Sequence, residues 1–159
     1  MQHVFWLREG KIAGRSGPNS EPWSPTELAS EGIGAILSVN DGELVHSRDL
    51  SSVGIEYYCV PLSDAAPPQP GDAEHCVEAL PKALRFVLDS LRSDRTVLVH
   101  CRSGKDRTGM FMSYYLCEME NMAPADAIQE VRRVRPIASS ANGWESHTLD
   151  VLRTLRERR

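Results

Sequence analysis

The 159-residue chain lacks any apolar run long enough to cross a bilayer, and its first residues lack the charged-then-apolar order of a secretory signal. A cytoplasmic protein with no stable membrane insertion is therefore expected. It also lacks a basic excess: 18 Lys and Arg stand against 22 Asp and Glu, for a formal net charge of -4. That balance argues against a nucleic-acid partner, which calls for a broad basic face. The basic stretch from Arg153 to Arg159 is broken by Thr154, Leu155 and Glu157, and reads as a solvated helix end favoured by the macrodipole. Cysteine is sparse. Cys59, Cys76, Cys101 and Cys117 show no C-x-x-C spacing, which argues against a zinc framework and leaves four free thiols as the expectation in a reducing compartment. No repeat or low-complexity tract is present. With 41% hydrophobic and 25% charged residues, the chain reads as a single globular domain over 1–159, and a monomer is expected.

Pattern then places the elements. Residues 4–7 and 11–13 flank a Glu-Gly turn and predict a short hairpin, followed by a Gly/Ser/Pro-rich loop over 14–23. Ser24-Pro25-Thr26-Glu27 has the form of a capping box with proline at the first helical position, and Gly32 would end that helix. Residues 33–39 and 55–60 predict strands, separated by an Asn40-Asp41-Gly42 turn. Residues 61–71 hold too much proline for helix or interior strand. Val77, Leu80, Leu84, Val87, Leu88 and Leu91 recur at helical spacing and predict a helix over 72–91, kinked or broken at Pro81. Residues 96–100 (TVLVH) predict a short buried strand. Helices are expected over 107–120, 124–134 and 142–156, the last opened by Asn142-Gly143-Trp144-Glu145 at capping-box spacing. The order implies an α/β fold: a central mixed, mainly parallel sheet of about four to five strands, flanked by helices.

The segment with chemistry in it is His100-Cys101-Arg102-Ser103-Gly104-Lys105-Asp106-Arg107-Thr108-Gly109, between the buried strand and the next helix. A strand-loop-helix turn gathers backbone N–H groups and the positive helix end at one point, which suits an anion. Small residues such as Ser103 and Gly104 let the backbone curl closely around it. Cys101 opens the loop, where a helix N-terminus and nearby cations favour a thiolate nucleophile. Arg107 stands at the helix start with a planar fork that can hold two phosphate oxygens at once. Thr108 is placed to donate a hydrogen bond to the sulfur. Adjacent strand residues face opposite ways, so His100 suits a buried structural role better than that of a base for Cys101.

HCRSGKDRTG resembles the Cys-(x)5-Arg-(Ser/Thr) signature of the cysteine-based protein tyrosine phosphatases, and the chain is similar in size to their compact, atypical dual-specificity branch. Residues 5–14, 33–39 and 57–68, and Arg135-Pro136, fall in the order of that branch, so the resemblance covers about residues 4 to 155. It implies a protein tyrosine phosphatase-like fold and a phosphomonoester hydrolase working through a phosphocysteine. Phosphotyrosine, and phosphoserine or phosphothreonine, in proteins would be the substrates, with no metal or other cofactor. Arg102, Ser103, Gly104, Lys105, Asp106 and Arg107 would bind the phosphate, with Cys101, Arg107 and Thr108 catalytic. The family also uses an Asp from a mobile loop as general acid, and Val60-Pro61-Leu62-Ser63-Asp64-Ala65-Ala66-Pro67-Pro68 resembles that loop, which makes Asp64 the candidate. Asp72, at a helix start, is better suited to capping. Gly-Lys-x-Arg resembles phosphoinositide phosphatases, so Lys105 raises a lipid alternative and Asp106 a second acid candidate. A binding module without turnover is a further alternative, as is a thiol redox or arsenate-reducing enzyme. Some relatives shield the nucleophile by a disulfide; Cys59, Cys76 and Cys117 are the candidates, with core packing the default for each. Trp144 and Glu145 lie where relatives position a water, but the expected glutamine is not there.

Overall fold

Alternation along the strands divides the molecule into two layers. Ala35, Leu37, Val97 and Val99 face one side of the sheet, while Ile36 and Leu98 face the other. A computed structural model describes residues 2–159. It contains β1 (Phe5–Arg8), β2 (Ile12–Ser16), α1 (Pro25–Ser30), β3 (Ile33–Ser38), α2 (Ser47–Ser52) and β4 (Glu56–Cys59), then α3 (Asp72–Arg92), β5 (Thr96–Cys101), α4 (Asp106–Glu120), α5 (Pro124–Val134) and α6 (Trp144–Glu157). The five strands lie in the order β1-β2-β5-β3-β4. Only β1 and β2 pair antiparallel; the other pairings are parallel, as expected of a mixed, mainly parallel sheet.

The central strand β5 is buried on both faces, which is why it reads as a continuous apolar run. On one face α3, α4, α5 and α6 contribute Leu80, Phe111, Val131 and Leu152 to the larger core. On the other, Leu28 of α1 and Leu50 of α2 cover Ala13, Ile36 and Leu98. Parallel crossovers put the C-terminal ends of β2, β3 and β5 at one edge, and Cys101 emerges there.

Several local expectations are corrected. The loop predicted over 14–23 begins later, because Gly14, Arg15 and Ser16 pair with Val99, His100 and Cys101 and so extend β2. Ser24 accepts the Glu27 N–H as a cap should. Helix α2 was not expected: its only buried residue is Leu50, so it has no apolar stripe to read. Pro81 does not break α3, which runs unbroken for 21 residues with Val77, Leu80, Ala83 and Leu84 buried on either side of the proline. Burial of that face outweighs the backbone bond that proline forfeits. Gly143, not Asn142, caps α6, and no side chain caps it. At the basic C-terminus, Arg156 and Arg159 donate to the carbonyls of Met122 and Cys117, so they hold the end of α4 in addition to meeting solvent.

Candidate active site

Strand β5 delivers a fully buried Cys101, and residues 102–105 turn the chain into α4. Every carbonyl of that turn is engaged from outside it. Arg102 O accepts the Gly17 N–H (3.1 Å), and Lys105 O accepts the N–H groups of Gly109 (3.0 Å) and Ser139 (3.4 Å). The Arg135 guanidinium donates to Ser103 O at 2.7 Å and to Gly104 O at 3.1 Å. A trans peptide points its C=O and the following N–H in opposite directions. Tying four successive carbonyls outward therefore turns the N–H groups of residues 103–106 the other way, into a cradle for an anion at the start of α4. Gly104 makes the curl possible. Its φ is +63°, and a Cβ there would lie 2.5 Å from the Arg15 carbonyl carbon.

Thr108, in the first turn of α4, donates its hydroxyl to Cys101 Sγ at 3.1 Å. Arg107 projects beside it, with its guanidinium 5.8 Å from the Trp144 ring and its Nη1 donating to the Asp64 carbonyl at 3.3 Å. Its Nε is buried without a protein partner, so the guanidinium keeps donor capacity for a ligand. The same contact brings the loop carrying Asp64 to the cradle across 43 residues of sequence. Asp64 is exposed, while the next residue is held: Trp144 Nε1 donates to the Ala65 carbonyl at 3.0 Å. The Gly143 cap packs on the same loop, where a Cβ would lie 2.9 Å from Pro68 Cδ.

The other carboxylates are occupied. Asp72 is the first residue of α3, not its cap, and its carboxylate accepts the Gln69 N–H at 2.7 Å. Asp106 is buried, accepts the Ala141 N–H at 3.2 Å and pairs with the Lys105 ammonium at 2.8 Å. Its side chain thus braces the loop against the segment before α6. Only its backbone N–H is turned toward the cradle. Lys105, in turn, has its charge largely balanced by Asp106. Arg102 and Ser103 are exposed at the rim, and the Arg102 side chain has no hydrogen bond or ion pair among the described residues.

His100 is structural, as strand geometry implies. It is fully buried, with Nδ1 3.1 Å from Cys101 O and Nε2 2.5 Å from Ser38 Oγ, whose other partner is the Tyr57 hydroxyl at 2.7 Å. The Trp23 ring meets it edge-on at 5.1 Å. Burial lowers its pKa to about 4, aided by the positive Arg15. All four thiols are free. Burial pushes the thiols of Cys59 and Cys76 up, and that of Cys117 up to about 11, so these three stay protonated at neutral pH. Of the four, Cys101 alone is the one that Thr108 serves.

The sequence matches the family described as "Dual specificity phosphatase, catalytic domain" over residues 19–149. The chain belongs to the dual specificity phosphatase family. It is 31% identical over 132 residues to the phosphatidylglycerophosphate phosphatase PTPMT1 of Arabidopsis thaliana, covering 79% of this chain and 36% of that protein. It is 26% identical over 143 residues to dual specificity protein phosphatase 12 of Rattus norvegicus, covering 90% and 39%. The chain thus spans well under half the length of these two relatives. Its fold is similar to that of Tk-PTP in the active form, with a TM-score of 0.79 at 24% identity over 99% of both chains. It is also similar to that of PTPMT1 in complex with PI(5)P, with a TM-score of 0.77 at 15% identity over 99% of both.

Two residues of this dual specificity phosphatase site have roles that the sequence does not show. Arg135 precedes a proline after α5, and only the fold shows it gripping the loop carbonyls. Trp144 lies where relatives position a water, but its indole anchors the Asp64 loop, while Glu145 pairs with Arg132 at 2.5 Å. The signal available for Trp144 was a large aromatic at a helix start next to a glycine.

Proposed function

We propose that this phosphatase hydrolyses phosphomonoesters through a phosphocysteine, acting on phosphotyrosine, and on phosphoserine or phosphothreonine, in proteins. The observation that carries the reading is the meeting of Cys101, Thr108 and Arg107 with the Asp64 loop over one cradle of backbone N–H groups. The Cys101 thiolate attacks phosphorus, forming an S–P bond as the P–O bond to the leaving group breaks. Asp64 gives its proton to the departing oxygen. Water then attacks the phosphocysteine and passes a proton to the Asp64 carboxylate; the S–P bond breaks, phosphate leaves and the thiolate returns. Arg107 and the cradle hold the non-bridging oxygens through both steps.

A phosphorylated lipid is the second reading. It is favoured by the likeness to a protein named phosphatidylglycerophosphate phosphatase and by the unpaired Arg102 at the rim. The Lys105–Asp106 pair weighs against a substrate of very high charge, since Lys105 brings little free positive charge to the rim.

The test is hydrolysis of an aryl phosphate from pH 5 to 8, with chelator present, by wild type, Cys101→Ser and Asp64→Ala. Loss of all turnover in Cys101→Ser and a drop of about a hundred-fold in Asp64→Ala are expected. Full activity in Cys101→Ser would refute the scheme. Matched assays on a phosphotyrosyl peptide, a phosphoseryl peptide and vesicles holding a lipid phosphomonoester then choose the substrate class. Turnover confined to the vesicles would transfer the assignment to the lipid.

A further inference from the structure

Ser63, Cys76 and His147 meet in the interior, directly behind the acid loop. Ser63 Oγ lies 3.2 Å from Cys76 Sγ on α3 and 3.2 Å from His147 Nε2 on α6. All three residues are buried. The His147 ring stands edge-on to Trp144, one turn earlier on the same helix, at 4.8 Å between centroids. Asp64 therefore sits between two anchored neighbours: Ser63, tied through its side chain to His147, and Ala65, tied through its carbonyl to Trp144.

From this arrangement we infer that the first turns of α6 act as a two-pronged clamp, in which His147 through Ser63 and Trp144 through Ala65 position the Asp64 carboxyl for proton transfer. The inference rests on Asp64 being the general acid. Ser63 and His147 are positioning residues, because both are buried and their side chains contact each other, Cys76 and Trp144.

The physical case is one of freedom. Asp64 is exposed, and none of the described hydrogen bonds or ion pairs engages its carboxylate. Its placement is then set by the backbone on either side. A proton donor works only within hydrogen-bond reach of the leaving oxygen, so each degree of backbone freedom removed raises the fraction of time it is in place. The proton order in the cluster is consistent. Burial keeps the Cys76 thiol protonated, and burial outweighs Asp72 and Asp150 in keeping His147 neutral. Cys76 can then donate to Ser63 Oγ, and Ser63 to His147 Nε2, with the imidazole proton on Nδ1 and no charge buried.

A purely structural role would weaken all substrates alike. A clamp on the acid weakens those whose leaving group needs protonation. The experiment is kcat/KM on phenyl phosphate, a poor leaving group, and on 2,4-dinitrophenyl phosphate, a good one. It is run for wild type, Asp64→Asn, Ser63→Ala, His147→Phe and His147→Gln, each well below its unfolding midpoint. Asp64→Asn should lose about a hundred-fold on the phenyl ester and much less on the dinitrophenyl ester. Ser63→Ala and His147→Phe should lose about ten-fold on the first and less than about two-fold on the second. His147→Gln keeps an acceptor for Ser63 and should recover most of the loss. The double variant Ser63→Ala/His147→Phe leaves neither polar group unpaired and should show the same pattern if a single variant does not fold. Equal losses on both esters, or none on either, would overturn the clamp while leaving a selective Asp64→Asn loss intact. If Asp64→Asn itself shows no selectivity, Asp64 is not the acid and the clamp falls with that assignment.

Discussion

Thr108 Oγ1 donates a hydrogen bond to Cys101 Sγ across 3.1 Å, and both residues are fully buried. A hydrogen bond to a charged group contributes about 1.5–3 kcal/mol, and its worth is greatest when the sulfur carries full negative charge. In the proposed scheme that charge returns when phosphocysteine breaks down. Thr108→Val keeps the shape and removes the donor. It should lower kcat by about ten- to hundred-fold. It should also expose a burst of aryl alcohol close to one equivalent of enzyme before the slow steady state. A variant with unchanged kcat and no burst would show that Thr108 does not assist the second step.

The loop was legible in the sequence because its chemistry is local. Cys101, Gly104, Arg107 and Thr108 lie within eight residues, and a strand and a helix flank them with clear periodicity. The sheet was legible in content but not in order: the position of β5 between β2 and β3 is a matter of pairing, which a list of apolar runs does not encode. What escaped were partners far apart in the chain. Trp144 meets Ala65 across 79 positions, and Arg135 meets Ser103 across 32. Helix α2 escaped for another reason, since one buried leucine sets up no period. As a second acid candidate Asp106 is disfavoured by contacts no sequence shows, since its carboxylate is taken by Ala141 and Lys105.

His100 ties stability to pH. Its pKa falls from 6.5 to about 4 on folding, so between those values the unfolded chain binds more protons than the folded one. The contribution of a neutral His100 is therefore complete above pH 6.5 and shrinks as pH falls toward 4. Between pH 7.5 and pH 5 it should cost roughly 2 kcal/mol of unfolding free energy. Denaturant titrations at the two pH values check this. His100→Gln, which does not titrate, should lose less stability over the same interval than wild type. An equal loss in both proteins would assign the acid sensitivity to other groups.

Arg135 should behave as part of the cradle without touching substrate. Its fork holds the Ser103 and Gly104 carbonyls, and its guanidinium lies 5.4 Å from the Phe5 ring. A lysine cannot hold two carbonyls in a plane or stack in the same way. Arg135→Lys and Arg135→Ala should therefore both weaken inhibition by inorganic phosphate or vanadate by about ten-fold. Retained inhibition in Arg135→Lys would mean that charge alone, not the fork, shapes the loop.

Gly104 tests how closely the cradle depends on the strand beneath it. A Cβ at this position would lie 2.5 Å from Arg15 C, 2.6 Å from Arg15 O and 2.8 Å from Ser16 N, all backbone atoms of β2. Side-chain rotation cannot relieve such contacts, and φ at +63° adds a penalty of about 1 kcal/mol for any residue with a Cβ. Two responses are open to Gly104→Ala. If β2 moved, the sheet would carry the cost and stability would fall sharply. But β2 is paired with β5 through five registered residues from Ile12 to Ser16, whereas the loop lies outside the sheet and is held there by the Gly17 N–H and the Arg135 fork. The loop is the softer element, so it should give way and turn its N–H groups out of line. Gly104→Ala should thus stay folded, with a loss of about 1–3 kcal/mol by denaturant titration, while kcat/KM on an aryl phosphate falls more than about a hundred-fold. A variant that lost stability but kept its catalytic efficiency would show that the strand yields and the cradle does not.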